Sequence, residues 1–542
     1  LKGRTLPKAK IRTPKPKAGW GRSMGWYYED PSINYEFAVK DYAATPELCL
    51  EMIDKIAATM KYQGLDLFAY PGSWYDGYIS DSYNVHGHAP DFLRAFYERF
   101  DKEGLGVVPL INQENHPVPP GSLTYDMITS GDVHATVFNV TATGLPDCGI
   151  VRKPSLFNIC HPDAQRYLEG MIDLFVEEGV KHPSFRGVGL HVKHASLCWL
   201  GLITSGYNDY MIDGFTRDTG IKAPVDRRDP KRGKAYADWL LANAYEPWVQ
   251  WRCRQVSGFW VKIARKLAAA RPDLKLWINN IADLDPIMDR FSSPDYMRRI
   301  AREGGLDRDI FAREAPNVIM SQTCLPADYR YARPGWYYAT EADFECQRTY
   351  HTKPYYWDFL EGAAYPLVHM HDRYWESHAG DVNRNKDPAL RFKSKWFKEI
   401  KWRVTTLNAP GPYAMEHYAV PMRFRDILGF TKGGYLVGTY GMEDYLVPFA
   451  QAFRALPAVN METLPGGGEF VRLRHVDYDG RSWFYVVNTG VESACVRVRF
   501  PEGSKDLVSD ASCAGDSTIK LGPYELRSFC APSGRPALLG TK

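Results

Sequence analysis

At 542 residues and a formal net charge of +3, with no run of like charges beyond the basic stretch 2–17, the chain gives no reason to expect nucleic acid or a membrane surface as a partner. It holds no run of about 18 apolar residues, which excludes a spanning helix. The length suits a large barrel with insertions and one accessory domain, and the ten cysteines lack CxxC spacing, which removes zinc-ribbon and thioredoxin readings.

Residues 1–20 are rich in Pro and Lys and read as an extended lead-in. The start at Leu1 rather than Met sets the expectation of a missing signal peptide or upstream segment, and of a secreted or periplasmic protein. From 21 to 460 one unit recurs: apolar strand, polar loop, amphipathic helix. Strand one is read at 23–28, and Thr45-Pro46-Glu47 starts a helix with Thr as cap and Pro in the first turn. Strand two, 65–70, opens into the aromatic loop Ser73-Trp74-Tyr75-Asp76-Gly77-Tyr78. Strand three, 106–111, runs into Asn112-Gln113-Glu114, and strand four, 187–192, ends at His191-Val192-Lys193-His194. A long helical stretch, 234–270, leads to strand five, which ends at Asn279-Asn280, and strand six ends at Ser321-Gln322-Thr323. Strand seven is assigned to 354–359, with Glu361 just beyond it. Residues 411–419 are assigned as strand eight and 444–455 as the closing helix.

These strands are near-continuous apolar runs, as expected of parallel strands buried on both faces, and their order argues for a (β/α)8 TIM barrel. Residues 461–542 change to short alternating strands, with Asp479-Gly480 as a hairpin signal, and read as a small antiparallel β-sandwich. One disulfide among Cys495, Cys513 and Cys530 is allowed by this reading, while Cys198, Cys253 and Cys324 read as buried thiols.

In such barrels the chemistry lies at the carboxyl ends of the strands. Glu361 is the first candidate there, and Glu114, among Asn112, Gln113, Asn115 and His116, is the second; a pair of carboxylates is what sugar hydrolysis requires. Asp30, Asp283, Asp285, Asp358 and Glu416 compete with them. Trp74, Tyr75, Trp199, Trp357 and Trp375 are candidate stacking platforms for sugar rings. Lys193, His194, Arg373, Asn279 and Asn280 are polar groups suited to an acidic sugar, or to neutralising nearby carboxylates. The pairs His86/His88 and His369/His371 each place two imidazoles on one face if extended, the pattern of a metal centre. His191 and His194 face opposite sides of a strand; both, with Asn112 and Asp358, are further candidates for binding the substrate.

The phrase Asn158-Ile159-Cys160-His161-Pro162-Asp163, followed by a helix and His182-Pro183-Ser184-Phe185-Arg186-Gly187, resembles the middle of clan-A-type glycoside hydrolases. The stretch from Tyr207-Asn208-Asp209-Tyr210 to Gly220-Ile221 is similar to the insertion after strand four of beta-galactosidase-like members. Trp483–Asn488 with Leu521-Gly522-Pro523-Tyr524 resembles their closing β-sandwich. The resemblance implies a glycoside hydrolase acting on a carbohydrate, without cofactor or resident metal, and with homo-oligomerisation open. It implies a nucleophilic Glu at the end of strand seven, which Glu361 matches. It also implies an acid/base Glu after Asn at the end of strand four, where this chain has His191-Val192-Lys193-His194, so proton transfer falls to Glu114, a His or an Asp. The rival expectations are a metal-dependent hydrolase built on the HxH pairs and a non-catalytic carbohydrate-binding barrel.

Overall fold

The structure is a computed structural model and describes residues 6–14, 20–29, 32–38, 45–75, 77–78, 91–113, 138–145, 157–192, 196–201, 203–280, 296–324, 354–371, 409–434 and 437–541. Eight parallel strands close into a barrel: β1 (Ser23–Tyr27), β2 (Leu67–Tyr75), β3 (Gly106–Gln113), β4 (Gly187–Val192), β5 (Lys275–Asn280), β6 (Val318–Cys324), β7 (Leu367–His371) and β8 (Gly429–Gly433). Each pairs with the next, and β1 pairs with both β2 and β8, so no sheet edge is left open. A two-residue strand, Gly77–Tyr78, folds back antiparallel on β2.

Register and alternation place the odd-numbered residues of β1 and β4 to β8, and the even-numbered residues of β3, in the interior. Contacts between strands that are not neighbours fix this, because they must cross the barrel: Tyr27 of β1 touches His191 of β4, Trp277 of β5 and His369 of β7. Near the amino ends the inward side chains are apolar, with Leu67, Val108, Leu110, Ile319 and Leu367 gathered around Tyr27 and Trp277. Room for these large groups comes from glycine. A Cβ at Gly187, whose φ is +122°, would lie 1.9 Å from the Lys275 carbonyl oxygen, and one at Gly189 would lie 2.3 Å from Leu110 Cδ2.

Helices pack outside this ring. Thr45 caps the helix Pro46–Gln63 by accepting from Leu48 N at 3.3 Å, and Gly64 ends it in the left-handed region. The expected single helix over 234–270 is two, Arg232–Asn243 and Tyr245–Ala270. Pro247 explains the break, since it has no N–H to donate to the Asn243 carbonyl and its ring would crowd that turn.

The last two barrel strands correct the sequence reading. Residues Pro354–Leu360 form a 3-10 helix, and Gly411–Met415 with Glu416–Phe424 are helical as well. Strand seven is instead Leu367–His371, so His369 and His371 lie on a barrel strand. Strand eight is Gly429–Gly433, and the closing helix is Glu443–Arg454.

The carboxyl-terminal region is one antiparallel sheet of β9 (Glu462–Leu464), β10 (Val471–Tyr478), β11 (Arg481–Asn488), β12 (Ala494–Asp506), β13 (Ser512–Leu521), β14 (Leu526–Ala531) and β15 (Ala537–Thr541). Asp479 and Gly480 both have positive φ, as the tight β10–β11 turn demands. A register shift between Phe500 and Ser504 in β12 lets the sheet fold over its own core, where Phe500 packs on Phe484 and Phe529. The disulfide allowed by the sequence is absent. Cys495 opposes Lys520, Cys513 opposes Ser504 and Cys530 opposes Trp483, and all three thiols are free. Cys198 and Cys253 are buried, as expected. Among the described residues no helix is long and apolar enough to cross a membrane.

Candidate active site

Toward the carboxyl ends the inward positions change character. The next residue on each inward row is Asn112 on β3, His191 on β4, Asn279 on β5, Ser321 and Thr323 on β6, His369 on β7 and Thr431 on β8, all buried. Glu29, two residues past Tyr27, continues the inward row of β1 and is 2% exposed. A ring of hydrogen-bonding side chains therefore forms the floor of the barrel mouth, directly above the apolar layers.

Glu29 is the acidic member of this floor. Its backbone N–H donates to the Gly434 carbonyl at 2.9 Å, and its carbonyl accepts from Asn112 Nδ2, which ties the residue to the ends of β8 and β3. Its carboxylate Oε2 lies 2.9 Å from His191 Nε2. The other ring nitrogen, His191 Nδ1, is 2.5 Å from the Tyr27 hydroxyl. Burial pushes the Tyr27 phenol well above its usual range; a hydrogen bond from Asn279 opposes this and the charge on Glu29 adds to it. The phenol therefore keeps its proton and donates it to Nδ1. That leaves Nε2 as the protonated nitrogen, in close contact with Glu29 without the alignment of a hydrogen bond. Tyr27 thus fixes the tautomer of His191, whose Nε2 faces the Glu29 carboxylate.

The remaining floor residues are fixed in the same way. Asn279 Oδ1 accepts from Ser321 Oγ at 2.6 Å and Thr323 Oγ1 at 3.1 Å, while Trp277 Nε1 donates to Ser321 Oγ at 2.9 Å. His369 Nδ1 lies 3.1 Å from Thr431 Oγ1. Asn112 Oδ1 is buried with no hydrogen-bond partner among the described residues. An acceptor held in this way suits a ligand hydroxyl. Among the described residues no group of three or more His, Cys, Asp or Glu side chains is arranged to hold a metal ion.

The structure therefore brings together Asn112, His191 and Asn279 of the expected site, and adds Tyr27, Glu29, Ser321, Thr323, His369 and Thr431. Glu29 was legible in principle, since the alternation that buries Tyr27 carries it inward too. Trp74 and Tyr75 occupy the last two positions of β2. Glu114, Lys193, His194 and Arg373 lie outside the described residues, as do His86, His88, Asp30, Asp283, Asp285 and Trp375.

Glu361, Trp357 and Asp358 are placed elsewhere. They precede β7, at the amino-terminal end of the barrel and away from the mouth. The Glu361 side chain is 66% exposed and 3.6 Å from Arg425, which also pairs with Asp358. Trp357 is fully buried and stacks on Phe424 at 6.3 Å, so its ring is core and offers no face to a sugar. Trp199 is likewise fully buried in the main core.

No protein-family profile matches the chain, and no curated protein does. Solved structures similar to it include an alpha-amylase from Geobacillus thermoleovorans complexed with acarbose, at 11% identity and a TM-score of 0.44, covering 95% of this chain and 99% of that one. A MutB mutant in complex with sucrose gives 10% identity and 0.45, covering 95% and 100%. A catalytic mutant of a GH42 beta-galactosidase from G. stearothermophilus gives 11% and 0.43, covering 97% and 99%. At this identity and superposition these likenesses assign no chemistry to the residues of the mouth.

Proposed function

We propose that the protein is a glycoside hydrolase working at the carboxyl-terminal mouth of the barrel, with Glu29 and Glu114 as its two carboxyl groups. The observation that carries the reading is Glu29 itself: a buried carboxylate in contact with His191, in a ring of hydroxyl, amide and imidazole groups at the carboxyl-terminal end of the barrel. Neutral donors and acceptors in a ring are the complement of a polyhydroxylated substrate. Glu114 follows the last residue of β3, the strand whose Asn112 already holds the Glu29 backbone. One carboxyl would protonate the leaving oxygen while the other attacks the anomeric carbon or activates water. A separation of about 5–5.5 Å would mean retention, and about 6.5–9.5 Å inversion.

Trp74 and Tyr75, at the end of β2, are the stacking platforms in this reading. Lys193, His194 and Arg373, in the segments after β4 and β7, supply the positive charge for an acidic sugar.

The test is turnover of a panel of neutral and acidic aryl glycosides, with and without chelator, by the wild type and by Glu29→Gln, Glu114→Gln and Glu361→Gln. The expected result is chelator-resistant turnover that falls about a hundredfold or more in the first two variants and persists in the third. Chelator-sensitive turnover would transfer the chemistry to a histidine-held metal, and glycan binding without turnover would make the barrel a binding protein.

A further inference from the structure

A cavity of about 370 Å³ opens at the opposite end of the barrel from the mouth. Its wall comes from the segments that lead into β1 to β4, including Trp20, Asp66, Glu103 and Arg186, and from Lys61 and Arg454 on the flanking helices. Residues 9–13 of the lead-in close one side. That strap is fastened at several points: Ala9 N donates to the Lys61 carbonyl at 2.9 Å, Gln451 Nε2 donates to the Lys10 carbonyl at 3.1 Å, and Arg12 pairs with Asp510 on the carboxyl-terminal sheet.

The charges around the cavity do not cancel. Asp66 is taken by Arg454 at 3.1 Å, and Glu103 by Lys8 at 2.5 Å. Lys61 donates only to a carbonyl, that of Glu103, at 2.8 Å. Arg186 uses its carbonyl to accept from Trp20 Nε1 at 3.0 Å, and among the described residues neither Arg186 nor Lys61 has a carboxylate within ion-pair distance. Two cations are thus left over in one cavity whose acids are already committed. Burial, joined by the positive charges of Arg454 and Lys8, lowers the Lys61 ammonium from its usual value, against the opposing charges of Glu103 and Asp66.

We propose that this cavity is a second ligand site, for a small metabolite bearing a phosphate or carboxylate group, with Arg186 and Lys61 as its anion-binding residues. A guanidinium takes such an oxyanion through paired N–H groups, and an ammonium adds a point charge beside it. The volume falls within the range of small-molecule pockets. Because residues 9–13 form one wall, occupancy would also hold the strap against the barrel and, through Arg12, against the carboxyl-terminal sheet. This site is independent of the reaction proposed for the mouth.

The experiment is a tryptophan-fluorescence titration of the full chain with inorganic phosphate and, separately, with citrate. The expected result is a saturable change with at least one probe, lost in Trp20→Phe and weakened about tenfold or more in Arg186→Gln and Lys61→Met, both with unchanged far-UV circular dichroism. The probe that saturates at the lower concentration names the oxyanion. Slower tryptic cleavage at Lys8, Lys10 and Arg12 in the presence of that probe is the second expected readout. No saturation at millimolar probe, or equal affinity in Arg186→Gln, would overturn the proposal.

Discussion

The joint between barrel and carboxyl-terminal sheet should fail when Asp426 is removed. Arg22, fully buried just before β1, holds Asp426 through two contacts of 3.1 and 2.8 Å, and the Asp426 side chain is 5% exposed. Asp426 also accepts from the Tyr485 hydroxyl of β11 at 2.7 Å and from Met461 N at 2.8 Å. Asp426→Ala orphans a buried guanidinium and two buried donors at once. Breaking a buried ion pair from one side costs about 3–5 kcal/mol. Arg22 keeps the carbonyls of Ile427 at 2.7 Å, Pro457 at 3.0 Å and Val459 at 3.3 Å, so its charge stays solvated by dipoles and the pair term should sit near the lower bound. The lost Tyr485 and Met461 bonds add about 1 kcal/mol or more each. Their sum, about 5 kcal/mol, is a large part of the stability of an ordinary domain. Urea unfolding followed by far-UV circular dichroism and by tryptophan fluorescence should show a lowered midpoint, with the barrel and sheet transitions pulled apart. The double variant Arg22→Met/Asp426→Leu should lose less than Asp426→Ala, because it strands no charge. A loss below about 1 kcal/mol in Asp426→Ala, or a double variant worse than the single, would refute the reasoning.

Glu361→Gln should change stability by no more than about 0.5 kcal/mol in the same unfolding assay, since its partner Arg425 is 3.6 Å away across an exposed surface. Trp357→Ala should cost about 3–5 kcal/mol by loss of a fully buried ring, while turnover per folded molecule stays the same. The Asp506 carboxyl sits below its usual value: burial would raise it, but the backbone N–H groups of Ser509 and Val508 and the Arg527 guanidinium outweigh that. A depressed carboxyl contributes stability above its unfolded value, about 3.9, and loses it as pH falls through the folded one. The stability gap between wild type and Asp506→Asn, measured by thermal melts, should therefore be full near neutrality and narrow below about pH 4.

Six of the eight barrel strands were legible because a parallel strand covered on both faces must be apolar nearly throughout, as in Val107 to Ile111 or Val188 to Leu190. The same rule misassigned the seventh. Pro354–Leu360 buries Trp357, Phe359 and Leu360 while coiled as a 3-10 helix, so its apolar content imitates a strand. The true β7, Leu367–His371, puts a histidine at an inward position and resembles a polar loop, yet His369 is fully buried there. The error at Glu361 follows directly, because a carboxylate placed after the wrong element lands at the wrong end of the barrel.

The same physics that hid β7 marks the mouth. A polar group at an inward position is costly unless a partner satisfies it, and several polar inward residues here bond one another across strands: Tyr27 with His191, Asn279 with Ser321 and Thr323, His369 with Thr431. No local window contains such pairs. Tyr27 and His191 are 164 residues apart, and Arg22 and Asp426 are 404 apart. What the sequence does carry is the phase. Once Tyr27 is taken as inward, alternation places Glu29 beside the ends of β3 and β8 without further information. A strand that loses its apolar character on one face only, at its carboxyl end, is therefore the local trace of a site whose partners lie on other strands, and β7 shows that trace as clearly as β1.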